Sequence, residues 1–540
     1  MQKHTRCFTL YPKQKLTRIV ILNKMMDTKP TRRVVFISTL VLLMQLLSVS
    51  LNAQQAVHPN IIIFLVDDMG WEDTSVPFSG SVTDNNKKYR TPNMERLAKE
   101  GLLFTDAYAA PVCTPTRVSL ITGMNVAHHH VTNWTSPFHN KSSDAPDSVL
   151  TEAHWNINGF SPVAGVPQTV YATALPQLLK DAGYFTIHVG KAHWASQGTP
   201  AASPYNVGFT INIAGHAAGH PQSYLSEEAY GNLPGKNTAQ SVPDLEQYYE
   251  SGIFLTEALT REALRAVELP LSKKQPFFLN MAHYAVHVPL MADKRFFQPY
   301  LDRGLDSAEA KYASLIEGMD KSLGDILDFV EKKGIKNNTV ILFLSDNGGL
   351  ALTPPRGGAT LTQNAPLRAG KGSVYEGGIR IPFIIRFPPV THAGTITHTP
   401  AIVEDVFPTL LQLAGVKNYH TVQAIDGKSF VNVLKNPKIT DTARTLLWHY
   451  PNNWQNKTIP GTNFFSAFRK NNWKLVYSQR TGKAELYDLS TDLGEQKDLS
   501  AVYPEKTKQL VGLLGQQLKN FEAPMPFDKQ TGNQIPYPGE

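Results

Sequence analysis

The sequence predicts an α/β fold, with a large, mostly parallel sheet flanked by helices and a small C-terminal antiparallel sheet plus one helix. Three observations carry this expectation. Apolar runs of strand length alternate with helical stretches along most of the chain. The first of them, Asn60–Asp68 (NIIIFLVDD), is continuously apolar until two acids close it, as for a strand buried on both faces. After about residue 435 the texture changes to short strand-like pieces with turn residues between them.

The elements follow in order. Thr91-Pro92 starts a helix, with Thr91 as cap and Pro in the first turn, and Gly101 stops it. Leu102–Tyr108 reads as a strand, and Val118–Thr122 as a helix. Thr173–Ala182 is helical up to Gly183, and Tyr184–Val189 and Pro276–Tyr284 are strands. Tyr312–Lys333 is a long amphipathic helix closed by Gly334, and Thr339–Leu344 is again an apolar strand. Ile381–Phe387 and a helix around Glu404–Ala414 continue the alternation. Phe465–Ala467, Trp473–Ser478 and Ala484–Leu489 then form the small sheet, followed by a helix near Pro504–Lys519. Two Gly/Ser/Asn/Pro-rich insertions, at about 136–167 and 203–243, have the character of segments that shape a binding site. The expected division is a leader at 1–53, a catalytic body at 54–435 and an α+β subdomain at 436–540.

Composition narrows the function. With 42% hydrophobic and 18% charged residues, the 540-residue chain is neither disordered, collagen-like nor a disulfide framework. The net charge of +7 suggests a polyanion partner, but residues 1–53 hold nine of the 52 Lys+Arg and one of the 45 Asp+Glu. The remaining 43 basic and 44 acidic side chains cancel, so no nucleic-acid footprint is expected. The leader itself reads as an export signal: Lys29, Arg32 and Arg33 precede an apolar run from Val34 to Leu51, with Ala53 at the cut. An uncleaved anchor is the alternative, and Met26 would give a start of ordinary signal-peptide length. The protein is expected to be exported, to the periplasm or outside, without a stable membrane span once the signal is cut. Cys7 lies in the leader, which leaves Cys113 alone in the exported body, either buried and inert or chemically special.

Polar residues collect where ligands bind in open α/β sheets, beyond the carboxyl ends of strands. Asp67-Asp68 close the first strand, Lys191-Ala192-His193 follow Tyr184–Val189, His283 with His287 follow the apolar run Pro276–Leu279, and Asp346-Asn347-Gly348 follow Thr339–Leu344. Asp67, Asp68, Asp346 and Asn347 offer only oxygen ligands, three of them anionic, a set suited to Ca²⁺ or Mg²⁺ rather than Zn²⁺. Cys113-Thr114-Pro115-Thr116-Arg117 enters a helix, where unpaired N–H groups and the dipole favour an anion or nucleophile. Cys113 and Arg117, four apart, would share a face of that helix. The bland alternative is a buried thiol with a surface arginine.

At these residues the sequence resembles the type I, formylglycine-dependent sulfatases of the alkaline-phosphatase-like superfamily, in particular bacterial exported glycan sulfatases. CTPTR fits their C-x-P-x-R signature, whose cysteine is oxidised to Cα-formylglycine before or during export. NIIIFLVDDMGW, CTPTRVSLITGM, GKAHW, HYAVHVPL, SDNGG and LRAGKGSVYEGGIRIP occur in the family's order, and ELYDLSTDLGEQKDL resembles its C-terminal subdomain. One departure is Val286, where many members have Pro before the histidine.

The resemblance implies a sulfuric ester hydrolase with one Ca²⁺ held by Asp67, Asp68, Asp346, Asn347 and the modified Cys113. It implies that the aldehyde made from Cys113 is hydrated, that one hydroxyl attacks sulfur, and that the second later expels sulfate. Arg117 would steady the diol, Lys191 and Lys371 would bind sulfate oxygens, His287 would protonate the leaving alcohol, and His193 would assist the elimination. His283 is expected to be structural, and Glu376 with Arg380 a supporting pair. A formylglycine-generating or sulfatase-maturating enzyme is the implied partner. The expected substrate is a sulfated galactose or N-acetylgalactosamine unit of a polysaccharide or glycosaminoglycan. His128-His129-His130 and Trp134 are candidates for a first sugar subsite, and His154-Trp155 and His216…His220 for further walls. Two competitors are a phosphonate or phosphate ester hydrolase of the same superfamily and a non-catalytic glycan-binding relative.

Overall fold

The structure is a computed structural model that describes residues 58–454 and 459–540. The leader, its cut at Ala53 and the alternative start at Met26 lie outside the described residues.

The central sheet has eight strands: Asn60–Val66 (β1), Leu102–Phe104 (β2), Phe185–Gly190 (β3), Ile211–Ile213 (β4), Phe277–Ala282 (β5), Thr339–Ser345 (β6), Phe383–Arg386 (β7) and Thr395–Thr397 (β8). Their spatial order is β8-β2-β7-β6-β1-β5-β3-β4. Strand β1 lies at the heart of the sheet, parallel to β6 from Asn60↔Thr339 to Val66↔Ser345 and parallel to β5 on its other side. Its uninterrupted apolar run follows from burial on both faces. Ile61, Ile63 and Leu65 join one core, and Ile62, Phe64 and Val66 the other.

The main helices are Pro92–Glu100 (α1), Cys113–Thr122 (α2), Leu175–Asp181 (α3), Leu255–Ser272 (α4), Ser307–Lys332 (α5), Val406–Leu413 (α6) and Pro504–Asn520 (α7). Helix α5 starts five residues earlier than the periodicity suggests, because Asp306 caps it by accepting from Ala308 N and Glu309 N. Gly334, at φ +69°, follows its end. Thr91 precedes α1 but makes no side-chain cap, since its hydroxyl is engaged with Thr74 and Ser75. Helix α4 carries no motif and was not anticipated, although Leu255, Ala258, Leu259, Ala263, Ala266 and Val267 make an apolar stripe buried in the second core.

Two strand expectations need correction. Leu102–Tyr108 is not one strand: β2 ends at Phe104, and Ala107–Tyr108 pairs separately with Ala401–Ile402. The break falls at Asp106, whose carboxylate is taken by Arg469 and Arg380. Strand β7 does not continue the parallel pattern, but runs antiparallel to both β6 and β2. A parallel return needs a crossover to the other end of the sheet. Here the chain leaves β6 at Ser345 and re-enters at Phe383, opposite Leu344, with only the short helix Glu376–Ile379 between. The whole loop 346–382 therefore stays at the carboxyl end of the sheet, with Asp346, Asn347 and Lys371 on it.

The C-terminal sheet has four antiparallel strands: Thr445–Tyr450 (β9), Phe465–Lys470 (β10), Trp473–Ser478 (β11) and Ala484–Asp488 (β12). Strand β9 is an addition to the three expected. Helix α7 packs Leu510, Leu514 and Leu518 against this sheet. No helix among the described residues is long and apolar enough to cross a membrane.

Candidate active site

Strands β6, β1, β5 and β3 are neighbours, so the polar residues that follow them emerge side by side. Backbone hydrogen bonds carry the sheet into these exits: Asp346 N donates to Val66 O (3.0 Å), His283 N to Leu65 O (2.9 Å) and Lys191 N to Ala282 O (2.8 Å). Asp68 (φ +63°) and His193 (φ +50°) both sit in the left-handed region, a strain that concentrates at functional positions.

Asp67, Asp68, Asp346 and Asn347 are fully buried and interlocked. Asp346 Oδ1 accepts from Asp68 N (3.1 Å), and Asn347 Nδ2 donates to Asp68 Oδ1 (2.9 Å). Arg117, one turn into α2, donates Nε to Asp346 Oδ2 (2.9 Å) and Nη1 to the Lys191 carbonyl (2.8 Å). The Lys191 ammonium meets Asp67 Oδ2 at 2.7 Å, and that of Lys371 meets Asp68 Oδ1 at 2.7 Å. Three carboxylates thus face three cations, and breaking any one pair would leave a buried charge uncompensated. Cys113 opens α2, with Sγ 3.4 Å from His193 Nδ1. His193 Nε2 lies 2.9 Å from the Thr135 carbonyl, which can only accept. The ring proton therefore sits on Nε2, and a bare Nδ1 faces Cys113.

Electrostatics separate the two aspartates. Burial, reinforced by Asp346, drives the Asp67 carboxyl well above its ordinary value. Burial acts the same way on Asp68, but His287, Lys371 and Lys191 overcome it and hold the group below the usual carboxylate range. Burial also pushes up the Cys113 thiol, against the pull of Lys191 and Lys371. It lowers His193 well below the imidazole range, with Lys191 adding to the effect. His287 is lowered by burial too, opposed by Asp68, whose Oδ2 lies 3.5 Å from its Nε2.

The set fits a hard divalent cation. Two of its buried oxygens, Asp67 Oδ1 and Asn347 Oδ1, accept no hydrogen bond, and Asp68 and Asp346 add further carboxylate oxygens. Asp67, Asp68 and His287 bring ligand atoms within 4.8 Å of one another, while Asp346 is turned toward Arg117.

The sulfatase family model matches residues 59–416, two thirds of the chain. The chain belongs to the sulfatase family. A second model, for the C-terminal part of N-sulphoglucosamine sulphohydrolase, matches residues 370–523. A sulfatase of Formosa agariphila is 29% identical over 535 residues, covering 89% of this chain and 92% of that protein. The N-acetylgalactosamine-6-sulfatase of Mus musculus is 30% identical over 435 residues, covering 75% of each. Among solved structures, Ps i-CgsB superposes with a TM-score of 0.66 at 27% identity, covering 85% of this chain and 93% of that one. The protein is accordingly a sulfuric ester hydrolase with the alkaline-phosphatase-like architecture.

In this sulfatase a cavity of about 590 Å³ lies over the buried cluster, within the usual size range of ligand pockets. Asp68, Cys113, His193, His287 and Lys371 line its floor. Trp134, Phe138, Lys141 and Asp144 come from the first insertion and the loop before it, and His220 and Gln240 from the second. Trp454, from the segment after β9, completes the lining. His220 stacks on His287, with ring centroids 5.6 Å apart.

Several expected wall residues lie elsewhere. His130 is not brought to the cavity, because its Nε2 bonds the Phe521 carbonyl at 3.0 Å. His128 pairs with Asp426, and His129 is buried against Ser119. His154 packs on Phe527, and the Trp155 indole donates to Asp144 at 2.7 Å. His216 is also absent from the lining. His283 bonds Ser322 of α5, and Glu376 pairs with Arg380 and Lys474 beneath the loop, as structural roles require. Trp454, Asp144 and Gln240 were missed. Nothing local in the sequence marks them, since they reach the cavity only through long-range packing.

Proposed function

We propose that this sulfatase is exported and hydrolyses the sulfate ester of a sugar, a galactose or N-acetylgalactosamine unit, using a formylglycine made from Cys113 and a Ca²⁺ ion. The observation that carries the reading is Cys113 at the start of α2, within reach of His193 Nδ1 and above three carboxylates and three cations. The N-acetylgalactosamine-6-sulfatase relative, and Ps i-CgsB in complex with k-i-k-neocarrahexaose (TM-score 0.64, 26% identical), support a sulfated sugar as substrate.

Asp67, Asp68, Asp346 and Asn347 would hold the cation, with residue 113 beside them. The bound ion would supply Lewis acidity and lower the cost of charge on the attacking oxygen. The hydrated aldehyde at residue 113 would supply one hydroxyl to attack sulfur and a second whose deprotonation expels sulfate. Arg117 keeps that residue's surroundings positive, held by Asp346 on one side and the Lys191 carbonyl on the other. Lys191 and Lys371 offer ammonium groups as point charges for the ester's oxygens. His193 presents a bare Nδ1 to residue 113, the atom needed to take a hydroxyl proton during elimination. His287 Nδ1 donates to the Val288 carbonyl, so a proton on Nε2 would make the ring cationic, which burial opposes and the Asp68 charge favours. That proton can go to the departing alcohol.

Mass measurement of the peptide ending at Arg117, from protein produced with a maturating enzyme, tests the reading together with sulfate release. The expected result is loss of the thiol in favour of the aldehyde, with release from sugar sulfates. An intact thiol in protein that still releases sulfate would overturn the formylglycine assignment. Cleavage of a phosphonate ester in preference to the sulfate ester of the same alcohol would overturn the substrate class.

A further inference from the structure

The cavity wall contains a carboxylate that the proposed chemistry does not use. Asp144 Oδ2 accepts from the Trp155 indole (2.7 Å), the Asn452 amide (3.0 Å) and the Ser142 hydroxyl (3.0 Å). Its Oδ1 accepts from Asn453 N (2.9 Å) and the Asn133 amide (3.4 Å). Five donors exceed the roughly four lone-pair sites of a carboxylate, which leaves none for a substrate. Asp144 instead joins two distant stretches of chain: the first insertion and the segment 452–453 that follows β9.

That segment delivers Trp454, whose backbone N–H is held by Asn463 Oδ1 at 2.6 Å. Its ring lies against Gly372, where a side chain's Cβ would come within 2.0 Å of Cε3 and Cζ3. Gly372 directly follows Lys371, so the indole is seated one residue from an ammonium on the cavity floor. The ring lines the same cavity and is half-buried.

We propose that Trp454 is a specificity-determining face for the sulfated sugar, and that Asp144 is the positioning residue that holds it there. This rests on the sulfated-sugar reading above. A sugar ring is polar at its edge and apolar on its C–H faces, so a fixed aromatic face beside the sulfate-binding lysine suits it. The indole has only two torsions to immobilise, and both the Asp144 anchor and the Gly372 contact fix it in advance. Inorganic sulfate, which has no apolar face, would meet the floor and gain nothing from Trp454.

The test is calorimetric titration of the full chain carrying Cys113→Ala, with N-acetylgalactosamine 6-sulfate and inorganic sulfate as probes. Binding is thereby read without turnover. Adding Trp454→Ala is expected to weaken the sugar sulfate at least tenfold more than inorganic sulfate, and Trp454→Phe is expected to restore most of the difference. Asp144→Asn, whose amide can accept on one side only, is expected to follow Trp454→Ala in direction. Equal weakening of both probes by Trp454→Ala would overturn the specificity role, and equal weakening by Asp144→Asn would overturn the positioning role. Sulfate release from the same sugar by the chain with Cys113 intact tests the underlying reading separately.

Discussion

At the floor of the cavity, most polar side chains stand within a few residues of a buried strand or at the start of a helix, and Lys371, on the loop 346–382, is the exception. Asp67 follows β1 directly, Lys191 follows β3, Asp346 follows β6, and Cys113 opens α2. The walls are built otherwise, from long insertions and a C-terminal segment joined through single side chains such as Asp144. A floor made by regular structure holds charges to tenths of an ångström, as catalysis requires. Walls made by loops can be exchanged without disturbing it, so one floor can serve many substrates. Substitutions in the floor should therefore remove chemistry, and those in the walls should redirect it.

The sharpest break of this contrast is Cys113→Ala. Turnover of every sulfate ester should fall by roughly 10⁴–10⁶-fold, the scale seen when a nucleophile is deleted. Cys113→Ser should do the same, because a serine sulfate lacks the second hydroxyl that expels the product. Thermal unfolding should change little in either variant. Sulfate release by Cys113→Ala at the wild-type rate would disprove the assignment.

Next in size is removal of the cation, by chelation or by Asp346→Asn, which keeps the shape that Arg117 packs on. A loss on the order of 10²–10³-fold is expected from the missing electrostatic stabilisation. Chelation should be reversed by Ca²⁺, and metal analysis should find one ion per chain. Stoichiometric zinc would contradict the assignment to a hard cation.

His287→Ala probes the edge of the floor. General acid assistance contributes typically 10²–10⁴-fold and matters when the departing alkoxide is basic. Alkyl and sugar sulfates should lose that much, and aryl sulfates at least tenfold less. Equal losses on both classes would move the acid role elsewhere, with His193 the next group to test.

The same contrast explains what could be read in the sequence. Most of the floor was legible because its residues are local to a strong pattern: NIIIFLVDD is a doubly buried strand with two acids attached, and CTPTR is a helix entry with its cysteine attached. The antiparallel β7 was not legible, because Ile381–Phe387 has the same apolar pattern whichever way the chain enters it. Strand β9 escaped for a related reason: a single six-residue run shows its partner only once Phe465–Lys470 is folded beside it. The histidines at 128–130 drew attention by composition, yet Asp426, Ser119 and the Phe521 carbonyl, all remote in sequence or unmarked by it, claim them. Trp454 reaches the cavity through contacts far apart in sequence: its ring lies against Gly372, and Asp144, about 310 positions away, bonds its neighbours Asn452 and Asn453.

The smallest expected effect on activity lies outside both regions and controls for them. Glu404 is buried, and burial, with the Asp405 charge beside it, raises its carboxyl from 4.5 to about 8. Asn125 Nδ2 donates to Oε1 at 2.7 Å, which opposes the rise without cancelling it. The folded chain thus keeps a proton that the unfolded chain releases near pH 4.5. Its stabilising contribution is complete below that pH and is lost as pH climbs toward 8, at up to about 1.4 kcal/mol per unit. Glu404→Gln keeps the shape and the acceptor but has no proton to lose. The two proteins should therefore unfold alike near pH 4.5, and the variant should become progressively more stable by pH 8, with kcat on a sugar sulfate following the wild-type pH profile. Parallel stability curves across that range would show that Glu404 stays ionised in the fold, and that Asn125 and its surroundings solvate the charge.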